Sequence, residues 1–413
     1  MRTKMFSVQF TEVLAILTVT LLMTVKPAIA QQETVLHSFN GHTNDGIRPY
    51  AGLVLDARGN LYGTTQYGGA HRCGVVFELI SNGNGGWTEK ILHNFNHGGK
   101  DGCGPASSLI LDASGNLYGT TVLGGTDHAG TVFEFTPTAD GSWTESLLHS
   151  FKYNGADGNY PYSGLTFDAA GNIYGTTFSG GAYGDGAVFQ LAHSPGGAWG
   201  ETVIHSFNGG IDGIFPIATL VLDKSGNLYG ASYEGGVYGD GLVFELSRIS
   251  GGGWTETVPF TFGPLHSGVT GPNGTLILDG AGNLYGTTYW SGGYNLGAVF
   301  ELSRKAGGGW TETVLHSFNT NDGQYPLASP LLDAAGNLYC TGSDGGFGSY
   351  GTAIELTLQP DGRWAETLLH AFGNGEDGQY VLAGLIPDSS GNLYGMTQLG
   401  GAYDSGTVFE IAH

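Results

Sequence analysis

Short apolar segments alternate with glycine-rich turns along the whole chain after residue 30. In one well-formed stretch the apolar segments cover residues 109–111, 117–121, 131–135 and 143–151, and we name them strands A to D. They are rich in Val, Thr, Tyr and Phe and are bounded by clusters of Gly, Asn and Asp, as β-strands are. No segment shows sustained helical periodicity. The pattern therefore predicts an all-β protein.

The strand pattern is an internal repeat. The string GNLYG, or a close variant, begins at Gly59, Gly115, Gly171, Gly226, Gly282, Gly336 and Gly391. A second string, LHSF in its best copies, ends at Phe39, Phe95, Phe151, Phe207, Phe262, Phe318 and Phe372. A period of about 55 residues is typical of solenoids and propellers. The sequence predicts seven units of four strands each.

The two ends of the repeat complete each other. The last unit stops after strand C at residues 407–411, whereas residues 33–39 form a strand D with no unit before them. Pairing these two strands completes the last unit and leaves no open sheet edge. We therefore predict a seven-bladed β-propeller with four antiparallel strands per blade, closed by the N-terminal strand. Residues 31–413 leave no room for a second domain.

The repeat units themselves resemble a known family. The strings D-x-x-G-N-L-Y-G-T-T, G-x-V-F-E-L and W-T-E-x-x-L-H-S-F are similar to those of the gloeo/verruco (GloVer) tandem repeat family. The similarity covers essentially all of residues 31–413. The resemblance implies an extracellular bacterial repeat protein and brings no assigned enzymatic activity.

Residues 1–30 have the layout of a secretory signal peptide. Arg2 and Lys4 precede an apolar run over residues 13–25, and Ala28 and Ala30 precede Gln31. This run is shorter than the roughly 20 residues that span a bilayer. We expect export to the periplasm or the exterior, with no membrane span.

The net charge of the chain limits the kinds of molecule that it is expected to bind. Removing residues 1–30 takes away three basic residues and one acidic residue, so the formal net charge changes from −22 to −24. Nucleic acids require a basic face, which 11 remaining basic residues cannot readily supply. A glycan or a cell-surface protein fits an acidic exported protein, and we expect a monomer.

Two sets of repeated polar residues invite a catalytic or metal-binding interpretation. Strand D carries a histidine in six units, and the turn between strands A and B carries an aspartate in all seven. We interpret the histidines as structural, because one per blade is too few to share an ion. The aspartates fit turn formers that bond backbone amides. The sequence predicts no catalytic set, no metal and no cofactor.

The loop from strand D to strand A is the best candidate for a binding site. It contains Asp-Gly followed by Tyr or Phe, and in a propeller it shares a face with the B–C loop. The candidate residues are Asp157, Tyr160, Asp212, Phe215, Asp322, Tyr325, Asp377, Tyr380, Tyr238 and Trp290. Aromatic rings beside carboxylates suit sugar rings and their hydroxyls. The alternative is that each aromatic residue only packs between blades.

Three further features single out particular places in the chain. The repeat is most irregular at its fifth unit, where Pro259 and Phe260 replace Leu and His, and drift of a single repeat explains this as well as a site does. Cys73 and Cys103 fall in loops of adjacent blades on one face, so a disulfide is predicted there. Cys340 replaces a glycine of strand B and is expected to be buried.

Three functions stay open from the sequence. The first is a secreted, non-catalytic binding scaffold that engages a glycan or a surface protein through the D–A and B–C loops. The second is a polysaccharide-active enzyme, a glycoside hydrolase or lyase, that uses carboxylates on that face. The candidate aspartates are repeated equivalents and lack the asymmetry of an acid and a base, which favours binding. The third is a structural surface component.

Overall fold

Seven antiparallel sheets of the same design make up the protein. The computed structural model describes residues 32–412 except 42, 43, 99, 100, 195, 196, 264–268 and 374, so the predicted signal segment lies outside the described residues. Residues 31–413 form one compact unit. No helix among the described residues has the length and apolarity needed to cross a membrane.

The sheets correspond to the blades predicted from the repeat, with strand order A–B–C–D in each. Blade 1 contains Val54–Leu55, Leu61–Thr65, Val75–Ser81 and Trp87–Asn94; blade 2 contains Ile110–Leu111, Leu117–Thr121, Thr131–Pro137 and Trp143–Ser150; blade 3 contains Thr166–Phe167, Ile173–Thr177, Ala187–His193 and Trp199–Ser206. Blade 4 contains Val221–Leu222, Leu228–Glu234, Leu242–Arg248 and Trp254–Thr261; blade 5 contains Ile277–Leu278, Leu284–Ser291, Ala298–Arg304 and Trp310–Ser317. Blade 6 contains Leu331–Leu332, Leu338–Gly342, Thr352–Leu358 and Trp364–Ala371; blade 7 contains Ile386–Pro387, Leu393–Thr397, Thr407–Ile411 and Glu33–Ser38.

Blade 7 is assembled from both ends of the chain. Glu33–Ser38 pairs antiparallel with Thr407–Ile411, with Glu33 opposite Ile411 and Ser38 opposite Thr407. This strand occupies the place that strand D has in the other six blades. The predicted seven-bladed β-propeller, closed by its N-terminal strand, is therefore confirmed.

The A–B turn is held by one aspartate and one tyrosine. In blade 2, Oδ1 of Asp112 accepts hydrogen bonds of 2.8 Å from the backbone N–H groups of Ser114 and Asn116. Its Oδ2 accepts one of 2.9 Å from the Asn116 side chain and lies 3.2 Å from the Tyr118 hydroxyl, which donates to Glu134 at 2.7 Å. The corresponding aspartate bonds the same two backbone N–H groups in the other six blades, which confirms these aspartates as turn formers.

Neighbouring blades pack through phenylalanines. At six of the seven boundaries the Phe that follows strand D packs against a Phe of strand C in the next blade, as in the pairs Phe95–Phe133 and Phe151–Phe189, whose ring centroids are each 5.2 Å apart. The buried side chains form seven clusters, each between adjacent blades. Because burial of apolar area is the main stabilising term, the ring is held together at its blade boundaries.

Strand D contains a β-bulge that explains one irregular residue. In blade 2, Val132 pairs with His149 and Phe133 with Leu147, so Leu148 has no partner in strand C. The corresponding residue in blade 4 is Pro259, which falls within the irregular part of its ladder. A bulge tolerates proline because no ladder hydrogen bond is lost there.

Candidate functional site

The D–A and B–C loops lie together on one face, which we call the loop face. In blades 1 to 3 the two loops form short antiparallel ladders, in blades 4 and 5 the D–A loop pairs with an extended strand B, and in blades 6 and 7 single bridges join them. These pairs are Gly46–Ile47 with Tyr67–Gly68, Gly102–Cys103 with Leu123–Gly124, Gly158–Asn159 with Ser179–Gly180, Ile214–Pro216 with Leu228–Glu234, Val269–Pro272 with Leu284–Ser291, Gln324 with Asp344, and Gln379 with Leu399. A short 3₁₀ helix, Gly210–Asp212, precedes the pair in blade 4. The loops are thus tied to a rigid scaffold.

A cavity of about 670 Å³ lies on the axis of the ring. The segment just before strand A lines it in every blade, and one equivalent position contributes Tyr50, Ala106, Tyr162, Ile217, Asn273, Leu327 and Leu382. The B–C loops contribute Tyr67, Arg72 and Leu123, so the cavity lies at the loop face. We call it the central cavity, and its volume is typical of small-ligand sites.

Hydroxyl groups link neighbouring blades around the central cavity. Ser108 Oγ accepts a hydrogen bond of 2.8 Å from the Gly52 backbone N–H of the preceding blade, and Thr219 Oγ1 accepts one of 2.9 Å from Gly164. Thr275 Oγ1 accepts one of 3.1 Å from Thr219. In these bonds each hydroxyl acts as acceptor only, so its own hydrogen can be donated to a ligand.

Tyrosines from different blades meet at the cavity. Burial raises the pKa of Tyr50, and the neighbouring hydroxyls of Tyr162 and Tyr289 raise it further. The pKa of Tyr162 is also raised, first by burial and then by Tyr67 and Tyr160. Tyr50 and Tyr67 of blade 1 and Tyr160 and Tyr162 of blade 3 all line the cavity. The cavity wall is therefore aromatic as well as hydroxyl-rich.

No carboxylate faces the central cavity among the described residues that line it. Arg72 is the only Lys or Arg in that set, and His97 accompanies it. This composition differs from that of the whole chain, whose formal net charge is −22. The cavity is therefore a neutral to weakly basic site within an acidic protein.

The predicted aromatic residues of the D–A loop occupy an unusual backbone conformation. Tyr160, Phe215, Tyr325 and Tyr380 have φ of 58°, 57°, 53° and 62°. Bulky residues rarely adopt this left-handed region, which costs roughly 1–2 kcal/mol. Each backbone N–H bonds to the B–C loop of the preceding blade, as Tyr160 does to the Ala129 carbonyl at 2.8 Å. The blade boundary therefore holds these rings in a strained position, a feature found at binding sites.

The structure connects these aromatic residues to the cavity to different degrees. Tyr160 lines it directly. Phe215 stacks on the cavity-lining Phe178, with ring centroids 4.3 Å apart and planes 5° from parallel. Tyr325 stacks on Tyr289 at 4.9 Å. The fourth, Tyr380, contacts Tyr350 at 5.9 Å and does not line the cavity.

The predicted aspartates lie elsewhere. Asp157, Asp212, Asp322 and Asp377 are 3–8% exposed. Each lies beside the histidine of strand D in its blade; for Asp157 the distance from Oδ2 to His149 Nε2 is 3.1 Å. The same Oδ2 accepts a hydrogen bond from the Lys152 backbone. These carboxylates bond within the protein and do not line the central cavity.

Tyr238 and Trp290 occupy two different sites. Trp290 lies against Tyr325, with ring centroids 5.0 Å apart, and extends the aromatic group near the cavity. Tyr238 lines a separate cavity of about 490 Å³ between blades 4 and 5, together with Pro259 and Phe260. The irregular stretch predicted at the fifth unit runs from strand D of blade 4 into blade 5. Its residues are therefore divided between the cavity that Tyr238 lines and the aromatic group that contains Trp290.

Most of the aromatic wall is formed by residues that the sequence pattern did not single out: Tyr50, Tyr67, Tyr162 and Phe178. A signal was present at the position after the D–A proline. That position is Tyr50 in blade 1 but Ala106 and Asn273 in others, whereas strand positions repeat closely. Positions that vary between units are the ones released from packing and able to face a ligand.

A disulfide fixes one edge of the cavity. Cys73 in the B–C loop of blade 1 is bonded to Cys103 in the loop entering blade 2, with Cα atoms 4.6 Å apart. Cys103 itself lines the cavity. Cys340, the remaining cysteine, is free and buried, as expected from its place in strand B.

This fold and site define a seven-bladed β-propeller built from tandem repeats, with a central cavity at its loop face. The chain belongs to the Gloeobacter/Verrucomicrobia repeat family, whose model matches residues 21–168, 139–303 and 261–413. Comparison with curated proteins finds no match.

Solved structures share the fold at low sequence identity. A crystal structure of the extracellular domain of the proposed one component system BT4673 from B. thetaiotaomicron matches 93% of this chain with 14% identity and a TM-score of 0.57. A second, described as the extracellular domain of a hybrid two component system BT4673, matches with 14% identity and a TM-score of 0.55. This chain spans 42% and 43% of those structures.

Proposed function

We propose that this protein is an exported, non-catalytic binding protein that holds a neutral glycan in the central cavity. The observation that carries the proposal is the make-up of the cavity wall, which contains tyrosines and a phenylalanine together with serine and threonine hydroxyl groups. Flat aromatic faces can stack on the apolar faces of sugar rings, while hydroxyls and Asn273 can exchange hydrogen bonds with sugar hydroxyls.

Export of the protein rests on the signal-like pattern of residues 1–30. The pattern combines an N-terminal charged segment, a short apolar run and a small-residue cleavage motif. A disulfide between Cys73 and Cys103 fits an oxidising compartment. Both features support a site outside the cytoplasm, where polysaccharides are available as ligands.

Binding is favoured over glycoside hydrolysis by the position of the carboxylates. Hydrolysis requires two carboxyl groups roughly 5–10 Å apart on either side of the scissile bond. The described residues that line the central cavity include no carboxylate, and the four candidate aspartates are buried beside histidines. A ligand in this cavity would meet stacking surfaces and hydrogen-bonding groups but no acid and base pair.

The test is a screen of the purified protein on an array of neutral and acidic glycans, repeated with the variants Tyr67→Ala and Tyr162→Ala. We expect saturable binding that falls at least tenfold in each variant, because each removes a ring from the cavity wall. Tyr183→Ala is the matched control: Tyr183 is 66% exposed in the B–C loop of blade 3 and does not line the cavity.

The outcomes separate the three functions. Binding that is lost in the cavity variants and kept in Tyr183→Ala supports the proposal. Binding that is unchanged in all three variants would place the ligand elsewhere. Cleavage of a bound glycan would show an enzyme, and a complete lack of glycan binding would favour a protein partner or a structural role.

A further inference from the structure

The blade boundaries contain a polar cluster that the in-strand sequence pattern did not predict. Each cluster combines the histidine of strand D, the aspartate of the following D–A loop, and a glutamate from strand D of the next blade. The clusters are His37–Asp45–Glu89, His93–Asp101–Glu145, His149–Asp157–Glu201, His205–Asp212–Glu256, His316–Asp322–Glu366 and His370–Asp377–Glu33. In the first four, one atom of each residue lies within 4.8 Å of the others.

The cluster between blades 2 and 3 shows the geometry most clearly. Nε2 of His149 is 3.1 Å from Oδ2 of Asp157, and Glu201 of blade 3 joins them. The side chain of Asp157 is 7% exposed. Its Oδ1, and Oε1 of Glu201, are buried and accept no hydrogen bond. Two carboxylate oxygens thus lack a partner in a buried site.

Buried carboxylates without a partner are costly. A proton on His149 can be donated to one oxygen only, which leaves the second carboxylate uncompensated. The ion pairs that Arg residues form in the described chain involve other carboxylates, namely Asp168, Glu245 and Asp361. No Lys or Arg side chain in the part of the chain that the structure describes forms an ion pair with Asp157 or Glu201.

We propose that His149, Asp157 and Glu201 bind a divalent first-row transition-metal ion, and that the three other clusters of the same dimensions bind one each. One imidazole nitrogen and two carboxylate oxygens form a donor set that suits zinc and its neighbours, whereas calcium prefers oxygen ligands alone. The sequence favoured purely structural histidines because it does not show that a third ligand atom comes from the adjacent blade.

The distances fit such an ion. A tetrahedral ion with bonds of about 2.1 Å keeps its ligand atoms about 3.4 Å apart. In the first four clusters histidine Nε2 lies 3.1 to 3.7 Å from the aspartate oxygen, and in the first two it lies 3.5 and 3.8 Å from the glutamate oxygen. In the third and fourth clusters the glutamate oxygen lies within 4.8 Å of the other two ligand atoms. Because the glutamate belongs to the next blade, each bound ion would join two blades.

One boundary serves as an internal control. Between blades 4 and 5, Phe260 occupies the position of the histidine, while strand D of blade 5 still contains the equivalent glutamate, Glu312. Phe260 has no nitrogen ligand to offer, so the same glutamate is expected to bind no ion there.

The experiment measures zinc uptake. The purified protein is stripped with a chelator, dialysed against zinc chloride without reductant, and analysed for metal content, with the Cys73–Cys103 disulfide intact so that these thiols cannot compete. We expect about four zinc ions per chain and a rise in Tm. Glu201→Gln should lose one ion, Glu89→Gln should lose one at the boundary of blades 7 and 1, and Glu312→Gln should retain all of them.

The glutamine variants keep the shape of the side chain, and circular dichroism checks their fold. Loss of one ion in Glu201→Gln or in Glu89→Gln, with Glu312→Gln unchanged, supports the proposal. If the wild-type protein takes up no zinc, or if folded Glu201→Gln and Glu89→Gln take up as much as the wild type, the clusters are not metal sites. Glycan binding does not enter this measurement, so its result is independent of the proposed function.

Discussion

Cys340 and Ile354 lie opposite each other in strands B and C of blade 6, at the two positions that Gly and Phe occupy in the other six blades. In blade 2 the pair is Gly119 and Phe133. A Cβ on Gly119 would lie 2.5 Å from the tip of the Phe133 ring. It would also lie 2.8 Å from Cδ2 of Leu109, and Pro330 takes the place of that leucine in blade 6. The smaller isoleucine and this proline leave space for the cysteine side chain, so the three differences in blade 6 compensate one another.

This relationship predicts the result of a double-mutant cycle. Gly119→Ala should lower the free energy of unfolding by about 1–3 kcal/mol, because the methyl group overlaps the Phe133 ring. With Phe133→Ile already present, the same Gly119→Ala change should cost less, and the cost that remains should come from the contact with Leu109. Urea denaturation of the four proteins measures the coupling. Equal costs in both backgrounds would contradict the steric explanation, and Cys340→Ala serves as the tolerated control.

The conformation of Tyr160 predicts an unusual order of substitutions. With φ of 58°, this position favours glycine over any other residue, and Gly104 and Gly271 stand there in blades 2 and 5. We expect Tyr160→Gly to be more stable than Tyr160→Ala by about 1 kcal/mol, the reverse of the order in ordinary strands. Thermal or urea unfolding measures this order, and a more stable alanine variant would show that the backbone relaxes.

Both Tyr160 variants should bind the proposed glycan more weakly, since both remove the ring that lines the cavity. A variant that is as stable as the wild type but binds less would separate the binding role of Tyr160 from its packing role. Unchanged affinity in both would remove Tyr160 from the proposed site.

The disulfide should contribute measurably to stability. It closes a loop with a sequence separation of 30 residues, and breaking such a link costs about 3.6 kcal/mol in the chain-entropy description. We expect the double variant Cys73→Ser and Cys103→Ser to unfold at lower urea concentration than the wild type. Reductant should shift the wild type to the same midpoint and leave the variant unchanged. A variant as stable as the oxidised wild type would contradict this expectation.

Removing the closing strand should open the ring. In a chain that lacks residues 32–39, the strand Thr407–Ile411 still pairs with Leu393–Thr397 on one side but loses its strand D partner on the other. An unpaired strand edge promotes association, so we expect oligomers in size-exclusion chromatography and a less cooperative unfolding transition. A chain beginning at Gln31 is the control, because it retains every described strand. A monomeric, cooperatively folded deletion variant would show that closure is dispensable.

The sequence predicted the blades because their determinants are local and repeat. Asp112, Gly115 and Asn116 form one turn through short-range bonds, and a turn that recurs seven times cannot be mistaken for chance. Closure by Glu33–Ser38 was predictable for the same reason, since each partial unit contains what the other lacks.

The candidate site was predicted less well because it depends on contacts between blades. Asp157 has the residue type of a ligand-binding group, but it lies beside His149 from strand D of blade 2 and Glu201 from strand D of blade 3. The spacing of residues within one strand does not reveal such a contact between blades. Tyr50 and Tyr162 lie 112 positions apart in sequence and approach one another only when the ring forms. The repeat pattern reveals the positions that the seven units share, whereas the cavity wall is formed by positions that differ between units.

The pairing of Ser38 with Thr407 has a consequence for the order of folding. The first described strand must wait for the last one, so blades 1 to 6 can form while blade 7 remains incomplete. The entropy of closing a loop grows only logarithmically with its length, so joining these distant ends costs only about 2 kcal/mol more than closing one unit. Pulse-labelled hydrogen exchange should therefore show the amides of Glu33–Ser38 protected last. A chain that crosses a membrane unfolded would acquire its final stability only after its last residues have arrived.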